Sequence, residues 1–128
     1  MDDNLYAENI MDHYTNPRNF GRPNSFDISQ KELNPLCGDE INIYINLDNN
    51  TIKDIKFVGR GCAISQASAS MISEYIKGKN MEEVKKYGKE ELLNLLGIPI
   101  GPVRIKCALL SLRAIQSAIE KLENDRHS

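Results

Sequence analysis

The sequence predicts an α+β fold in which helices pack on one face of a small antiparallel sheet of about three strands. Apolar and polar residues alternate from Ile41 to Leu47 and again from Thr51 to Val58, and an Asp-Asn-Asn turn separates the two runs. This pattern is typical of a hairpin with one buried face. The segments on either side of the hairpin instead carry helical periodicity. Helices grouped outside a sheet, rather than alternating with its strands, favour the α+β class.

The elements before the hairpin are a helix and a weaker strand. Residues 4–14 predict a short helix that Asn4 caps and Pro17 ends, since the residue before a proline avoids helical geometry. His13, near the end of this helix, is expected to be a surface or capping histidine. Residues 26–33 predict a third strand, because Phe26 and two further apolar residues are spaced among polar ones.

Four helices are expected after the hairpin. The Gly-Arg-Gly break at 59–61 ends the second strand. The predicted helices are residues 62–77, a short helix opened by an Asn80–Glu83 capping box and running through Tyr87, residues 90–96, and residues 104–123 after Pro99 and Pro102. No linker long enough to separate two domains occurs, so residues 1–128 are expected to form a single domain.

The charge balance and the lengths of the apolar runs each exclude one class of protein. Sixteen Lys and Arg residues oppose eighteen Asp and Glu residues, for a net charge of −2, whereas a generic nucleic-acid binder carries a basic face. No apolar run approaches the roughly 20 residues of a membrane span. The polar, acidic stretch Met1–Asn4 does not resemble a targeting peptide. A cytoplasmic location is therefore expected, where thiols stay reduced.

All three cysteines fall where loops meet regular elements. Cys37 lies in a turn before the first clear strand, Cys62 opens a helix, and Cys107 is predicted in the first turn of the last helix. A helix N-terminus favours the thiolate form, and Arg104 and Lys106 add positive charge beside Cys107. All three thiols could therefore bind a metal or attack sulfur.

Spacing alone leaves two interpretations open. The intervals of 24 and 44 residues between the cysteines fit no zinc-finger pattern, so they could be three unrelated small apolar residues. Asp39 favours a shared site, because it follows Cys37 by two residues and completes a set of four donors. Such a set suits tetrahedral zinc or one edge of an iron–sulfur cluster. Taken alone, Asp39 could equally be a solvated turn residue.

Four stretches of the sequence, in order, carry a resemblance to a known family that extends over nearly the whole chain. They are Asp-His-Tyr-Thr-Asn-Pro-Arg-Asn at 12–19 with Gly21, Asn-Pro-Leu-Cys-Gly-Asp at 34–39, Gly-Arg-Gly-Cys-Ala-Ile-Ser-Gln-Ala-Ser-Ala-Ser at 59–70, and Val-Arg-Ile-Lys-Cys-Ala at 103–108. The chain resembles the IscU/SufU/NifU-type iron–sulfur cluster assembly scaffolds. The resemblance implies an α+β, SufE/IscU-like fold with one site built from Cys37, Asp39, Cys62 and Cys107.

The resemblance also implies a function. A cysteine desulfurase would pass persulfide sulfur to Cys37 or Cys107, a transient [2Fe–2S] cluster or iron would gather on the four residues, and apo-proteins would receive the cluster. The protein would be a scaffold or sulfur acceptor rather than a turnover enzyme, and a monomer or weak homo-oligomer. The alternative is a zinc-dependent sulfurtransferase like SufU, with the same four residues holding zinc. Lys106 favours that alternative, and the absence of an insertion common in SufU-like chains favours the scaffold. A structural zinc domain that only binds partners is a third possibility.

Overall fold

A computed structural model describes residues 2–35, 38–97 and 100–127 of the chain. Within these ranges the elements run helix, sheet, helices. They are α1 (Asp2–Thr15), β1 (Ile28–Asn34), β2 (Asp39–Asp48), β3 (Thr51–Arg60), α2 (Ala63–Ile76), α3 (Met81–Lys85), α4 (Lys89–Leu96) and α5 (Pro102–His127).

The three strands form an antiparallel sheet in the order β1-β2-β3. Alternate residues point to one face, where α5 lies against β1 and β2 and α2 against β3. The buried side chains of this face are Ile28, Ile41, Ile43, Ile45, Ile55 and Phe57. Because the strand period is two, these apolar residues all turn toward the helices. The predicted α+β class, with a three-stranded antiparallel sheet, is confirmed.

Small residues let α2 approach its neighbours closely. Ala67 and Ser68 of α2 are fully buried, as is Ala108 of α5. The Ser68 hydroxyl donates to the Ala108 carbonyl oxygen across 2.6 Å. A hydroxyl bonded in this way is satisfied although it lies in the core. The alanine and serine run of residues 63–70 thus serves helix–helix contact.

His13 attaches α1 to α2, and the expectation of a surface or capping histidine is wrong. The residue is 6% exposed, and its Nδ1 lies 2.7 Å from the Ser70 hydroxyl oxygen. The same oxygen accepts the Arg18 backbone N–H at 2.8 Å. We call His13, Arg18 and Ser70 the Ser70 cluster. It holds the end of α1 and the following loop on α2.

The loop after α1 then runs beside β3. The Phe57 N–H donates to the Asn19 carbonyl at 3.0 Å, and the Phe57 carbonyl accepts the Gly21 N–H at 2.8 Å. Between them Phe20 forms a parallel bridge with Phe57, and the two rings meet edge to face with centroids 5.5 Å apart. The irregular stretch after the first helix therefore covers the outer edge of β3.

Several helix ends differ from the sequence-based expectation. α1 begins at Asp2, so Asn4 lies inside this helix rather than at its N-cap, and α3 ends at Lys85 rather than Tyr87. The last helix begins at Pro102 rather than Arg104, because a proline in the first helical position loses no hydrogen bond and already has helical φ. Cys107 consequently lies in the second turn. Asn80 caps α3 through the Glu82 N–H, at 2.8 Å, while the Glu83 carboxylate accepts from the Tyr87 hydroxyl instead of completing a capping box.

Among the helices of the described residues, none is long and apolar enough to cross a bilayer.

Candidate metal centre

Three element ends meet at one end of the sheet, on the face covered by helices. Asp39 is the first residue of β2, and it pairs with Asn34, the last residue of β1. β3 ends beside them at Arg60, and the chain passes through Gly61 into Cys62, the N-cap of α2. The second turn of α5 brings Cys107 to the same place. The sheet and two helices therefore fix the positions of these side chains.

The ligand atoms of Asp39, Cys62 and Cys107 all lie within 4.8 Å of one another. The Cys62 backbone N–H donates to Asp39 Oδ1 at 3.1 Å, and the Cys62 sulfur lies 3.8 Å from Asp39 Oδ2. Asp39 is 2% exposed and Cys107 is 1% exposed, whereas Cys62 is half-buried. We call these three residues the thiol cluster. A carboxylate at this depth is costly unless hydrogen bonds or a cation compensate it.

Two glycines let the end of β3 and the segment after it pass close to β2. A Cβ on Gly61 would overlap the Asp39 carboxylate and lie 2.8 Å from the Ser65 hydroxyl oxygen, and Gly61 has a φ of 154°. A Cβ on Gly59 would lie 2.5 Å from the Glu40 carbonyl oxygen. Side chains rarely fit either situation. Gly59 is therefore required by the close approach of β3 to the β2 backbone, and Gly61 by the close approach of the following segment to the Asp39 carboxylate.

The neighbouring carboxylate of Glu40 points to the other face of the sheet. Its oxygens lie 2.5 Å from the Lys31 ammonium and 3.1 Å from the Arg60 guanidinium. The hydrogen bond from Lys31, helped by the charge of Arg60, holds the pKa of Glu40 below its usual range. Glu40 is thus occupied by two cations outside the thiol cluster, although it adjoins Asp39 in the sequence.

The structure brings together three of the four residues singled out from the sequence. Asp39, Cys62 and Cys107 meet, while Cys37 lies outside the described residues. The alternative of a solvated turn residue is wrong for Asp39, which is buried. Sequence reasoning missed Asn34, which is 7% exposed and whose Nδ2 lies 3.8 Å from the Cys107 sulfur. Its place just before the Pro-Leu-Cys-Gly-Asp turn was the available signal.

The donor set fits a thiophilic metal. Zinc held tetrahedrally by sulfur at about 2.3 Å and oxygen at about 2.0–2.2 Å keeps its ligand atoms roughly 3.5–3.8 Å apart. The 3.8 Å between Cys62 Sγ and Asp39 Oδ2 matches that spacing. The full set, within 4.8 Å, needs a closure of about 1 Å or less. Soft thiolates with one carboxylate suit zinc or iron–sulfur clusters and would be unusual for magnesium or calcium.

Comparison with known proteins places the chain in a family. The model of the NifU-like N terminal domain matches residues 5–128. The chain belongs to this family. The resemblance first based on the four sequence stretches is thereby confirmed.

Relatives within the NifU-like family carry two different descriptions. The chain is 41% identical, over 94% of its length and 93% of the relative, to the zinc-dependent sulfurtransferase SufU of Bacillus subtilis (strain 168). It is 34% identical, over 96% of its length and 98% of the relative, to the iron-sulfur cluster assembly scaffold protein IscU of Escherichia coli (strain K12). Relatives described as SufU and as IscU are thus both matched over more than nine-tenths of their length.

Solved structures agree with the fold. The crystal structure of FiSufU from Fervidobacterium islandicum AW-1 is 30% identical, with a TM-score of 0.77 over 93% of this chain and 99% of that one. The N-terminal part of a NifU-like protein from Brucella abortus gives a TM-score of 0.79 over 95% of this chain and 96% of that one. At 21% identity the second comparison supports the architecture alone.

Proposed function

We propose that this protein is an iron–sulfur cluster assembly scaffold. The observation that carries the proposal is the thiol cluster: two cysteines and a buried carboxylate, with ligand atoms within 4.8 Å, in a chain of the NifU-like family. Cys37 is the fourth proposed ligand, because the turn between β1 and β2 leads directly into Asp39. The cargo is a transient [2Fe–2S] cluster or its iron.

The proposed sulfur chemistry needs only thiolates. A cysteine desulfurase is the proposed partner, and it would present a persulfide. The thiolate of Cys37 or Cys107 attacks the outer sulfur of that persulfide, the partner's S–S bond breaks, and the partner keeps its own thiolate. The sulfur is thereby carried as a new persulfide on this chain.

Asp39 is the proposed exchange point of the cargo. Carboxylates are harder ligands than thiolates and bind iron–sulfur clusters less well. A site with three thiolates and one carboxylate therefore has one weak corner, from which transfer to a recipient apo-protein can begin. The Cys62 N–H, 3.1 Å from Asp39 Oδ1, keeps that carboxylate oriented toward the cluster of donors.

A second candidate function is a zinc-dependent sulfurtransferase. The 41% identity to a protein so named in Bacillus subtilis favours it. In this case Cys37, Asp39, Cys62 and Cys107 would hold zinc, which would organise the site and keep its thiols deprotonated until sulfur arrives. The persulfide step at a cysteine stays the same, but no cluster would be built.

Exposed positive charge supports docking of partners at this end of the molecule. Three exposed basic residues around the thiol cluster offer positive charge to an acidic partner surface: Arg60, Arg104 and Lys106.

We propose that the chain acts as one domain over residues 1–128, in the cytoplasm, as a monomer or weak homo-oligomer. Neither a nucleic acid nor a membrane is among the proposed partners.

Metal content and absorption separate the two functions. The protein is purified without oxygen, and its iron, sulfide and zinc are measured beside its ultraviolet–visible spectrum. Incubation with a desulfurase, cysteine, ferrous iron and dithiothreitol, which reduces the transferred persulfide sulfur to sulfide, should then produce visible sulfur-to-iron absorption if the protein is a scaffold. A colourless product that keeps one tight zinc per chain would favour the sulfurtransferase.

The two proposed functions predict opposite results for the substitution Asp39→Ala. In a scaffold, loss of the weak corner should leave three thiolates to gather the cluster, which then decays and transfers more slowly. In a zinc protein, loss of one of four ligands should release zinc more readily to a chelator. Cluster decay, transfer to an apo-ferredoxin and chelator competition are measured in parallel.

The matched control is Asp48→Ala, at the exposed opposite end of β2. It should change neither cluster lifetime nor zinc release. If Asp39→Ala also changes neither, the four-ligand model is wrong.

A further inference from the structure

Asn34 is a buried polar residue that the proposed chemistry leaves without a role. It ends β1, directly opposite Asp39 in the β1–β2 register, and is 7% exposed. Its side-chain Nδ2 lies 3.8 Å from the sulfur of Cys107, within the range of an N–H···S hydrogen bond. The two residues are 73 positions apart in the chain, so the contact joins the sheet to α5.

The backbone of Asn34 has a second contact. Its carbonyl oxygen accepts the Gly38 N–H at 2.8 Å. Gly38 reaches this position with a φ of 72°, in the left-handed region. Cys37 lies between Asn34 and Gly38 in the sequence, so Asn34 is bonded both to the residue that follows Cys37 and to the Cys107 thiol.

The amide is chemically suited to a metal-bound sulfur. A carboxamide donates through its NH₂ group yet carries no charge, so it adds no repulsion to Asp39 beside it. An N–H directed at a thiolate takes up part of the sulfur's electron density, which weakens sulfur-to-metal donation and fixes the direction of the lone pairs. Substitution of a residue that hydrogen-bonds to a direct ligand commonly lowers metal affinity by about 10- to 100-fold.

We propose that Asn34 is a positioning residue for Cys107: its amide donates to the sulfur and so sets both the direction and the ligand strength of that thiolate. The proposal rests on the proposed function in one respect, namely that Cys107 is a metal ligand. It goes further in assigning a role to a residue outside the four-donor set.

Cobalt(II) is the probe that reports directly on the sulfur. Apo-protein is loaded with Co²⁺ and its sulfur-to-cobalt charge-transfer band is recorded for wild type, Asn34→Leu and Cys107→Ser. Leucine is close to asparagine in volume and donates no hydrogen bond. Loss of the N–H raises the energy of the sulfur electrons, so the band of Asn34→Leu should move to longer wavelength. Release of Co²⁺ to a chelator should become about 10- to 100-fold faster, because the lost positioning of the sulfur outweighs its stronger donation to the metal.

Asn46→Leu is the matched control. Asn46 lies in the same sheet, and its amide also donates, but to the Ser25 carbonyl at 3.1 Å, far from the thiol cluster. This variant should leave the band and the release rate unchanged. If Asn34→Leu does not fold, Asn34→Ala removes the same donor with less bulk.

The outcomes separate this inference from the function it rests on. If Cys107→Ser leaves the wild-type band unchanged in intensity, Cys107 is not a ligand, and both the proposed site and the role of Asn34 are wrong. If Cys107→Ser weakens the band but a folded Asn34 variant leaves its position and the release rate unchanged, the role of Asn34 alone is overturned.

Discussion

Two polar clusters that involve α2, one at its N-cap and one midway along the helix, differ in how their groups are satisfied. In the Ser70 cluster the hydroxyl oxygen has partners at 2.7 and 2.8 Å, His13 Nδ1 and the Arg18 N–H. In the thiol cluster Asp39 accepts the Cys62 N–H at 3.1 Å, whereas the two sulfur contacts, of Cys62 Sγ with Asp39 and of Cys107 Sγ with Asn34, are 3.8 Å long. Short, complete hydrogen bonding is what a structural connection needs. Loosely spaced soft donors around a buried carboxylate are instead what a binding site needs.

The largest effect on metal affinity is expected from a methyl group added beside the thiol cluster. Gly61→Ala should displace the Asp39 carboxylate, because a Cβ there overlaps it. Overpacking of this kind costs about 1–3 kcal/mol of unfolding free energy. We expect zinc or cobalt affinity to fall by at least about 10-fold, since misplacing even groups behind the ligands costs that much. Chelator competition and urea unfolding measure the two effects.

Gly78→Ala is the control for Gly61→Ala. Gly78 also has a positive φ, of 88°, but a Cβ there meets nothing within 4 Å. This variant should lose stability through backbone strain alone and keep its metal affinity. Equal metal affinities for Gly61→Ala and wild type would mean that Asp39 does not need its present position.

A smaller effect, on stability only, is expected from the Ser70 cluster. Ser70→Ala leaves the Arg18 N–H and the His13 ring without their shared partner, so the free energy of unfolding should fall by about 1–3 kcal/mol. Metal affinity should not change. The measurements are denaturant unfolding and chelator competition, with Ser29→Ala on the sheet as a control. A loss of metal affinity in Ser70→Ala would show that the two clusters are coupled.

The smallest expected effect is a pH dependence of stability that comes from His13 in the Ser70 cluster. Burial, followed by the charge of Arg18, lowers the pKa of His13 from its ordinary 6.5, although the Glu74 carboxylate partly opposes this. Between the lowered pKa and 6.5 the unfolded chain binds more protons than the folded one, so stability rises with pH in that window. The stability that depends on neutral His13 should be fully present above about pH 6.5. It should be lost as the pH falls through the lowered pKa.

Unfolding by urea at a series of pH values, for wild type and His13→Gln, measures this slope. The variant should be less stable overall and should lose the decline between neutral and mildly acidic pH. His127→Gln, which alters the other histidine of the chain, should keep it. A slope unchanged in His13→Gln would assign the dependence to the carboxylates.

Local patterns predicted the elements well, and contacts between distant residues account for what they missed. The alternation around Ile43 and Phe57 identified the hairpin because it reflects a single buried face. The burial of His13 could not be predicted, since its partner Ser70 is 57 residues away and looks like any helical serine. Likewise Asp39 alone was ambiguous until three element ends met around it, and the contact of Asn34 with Cys107 depends on how α5 crosses the sheet.

The contact of Phe20 with β3 has a consequence for how copies of this protein meet. A strand can recruit another strand only through a row of unused N–H and carbonyl groups. On β3, the N–H and carbonyl of Phe57 are both taken by the chain's own loop. On β1, Lys121 lies 3.4 Å from the Ser29 carbonyl, and the Gln30 amide lies 3.3 Å from the Lys31 carbonyl. The N–H and carbonyl groups of β1 and β3 that are bonded within the chain are therefore not available for pairing with a strand of a second copy.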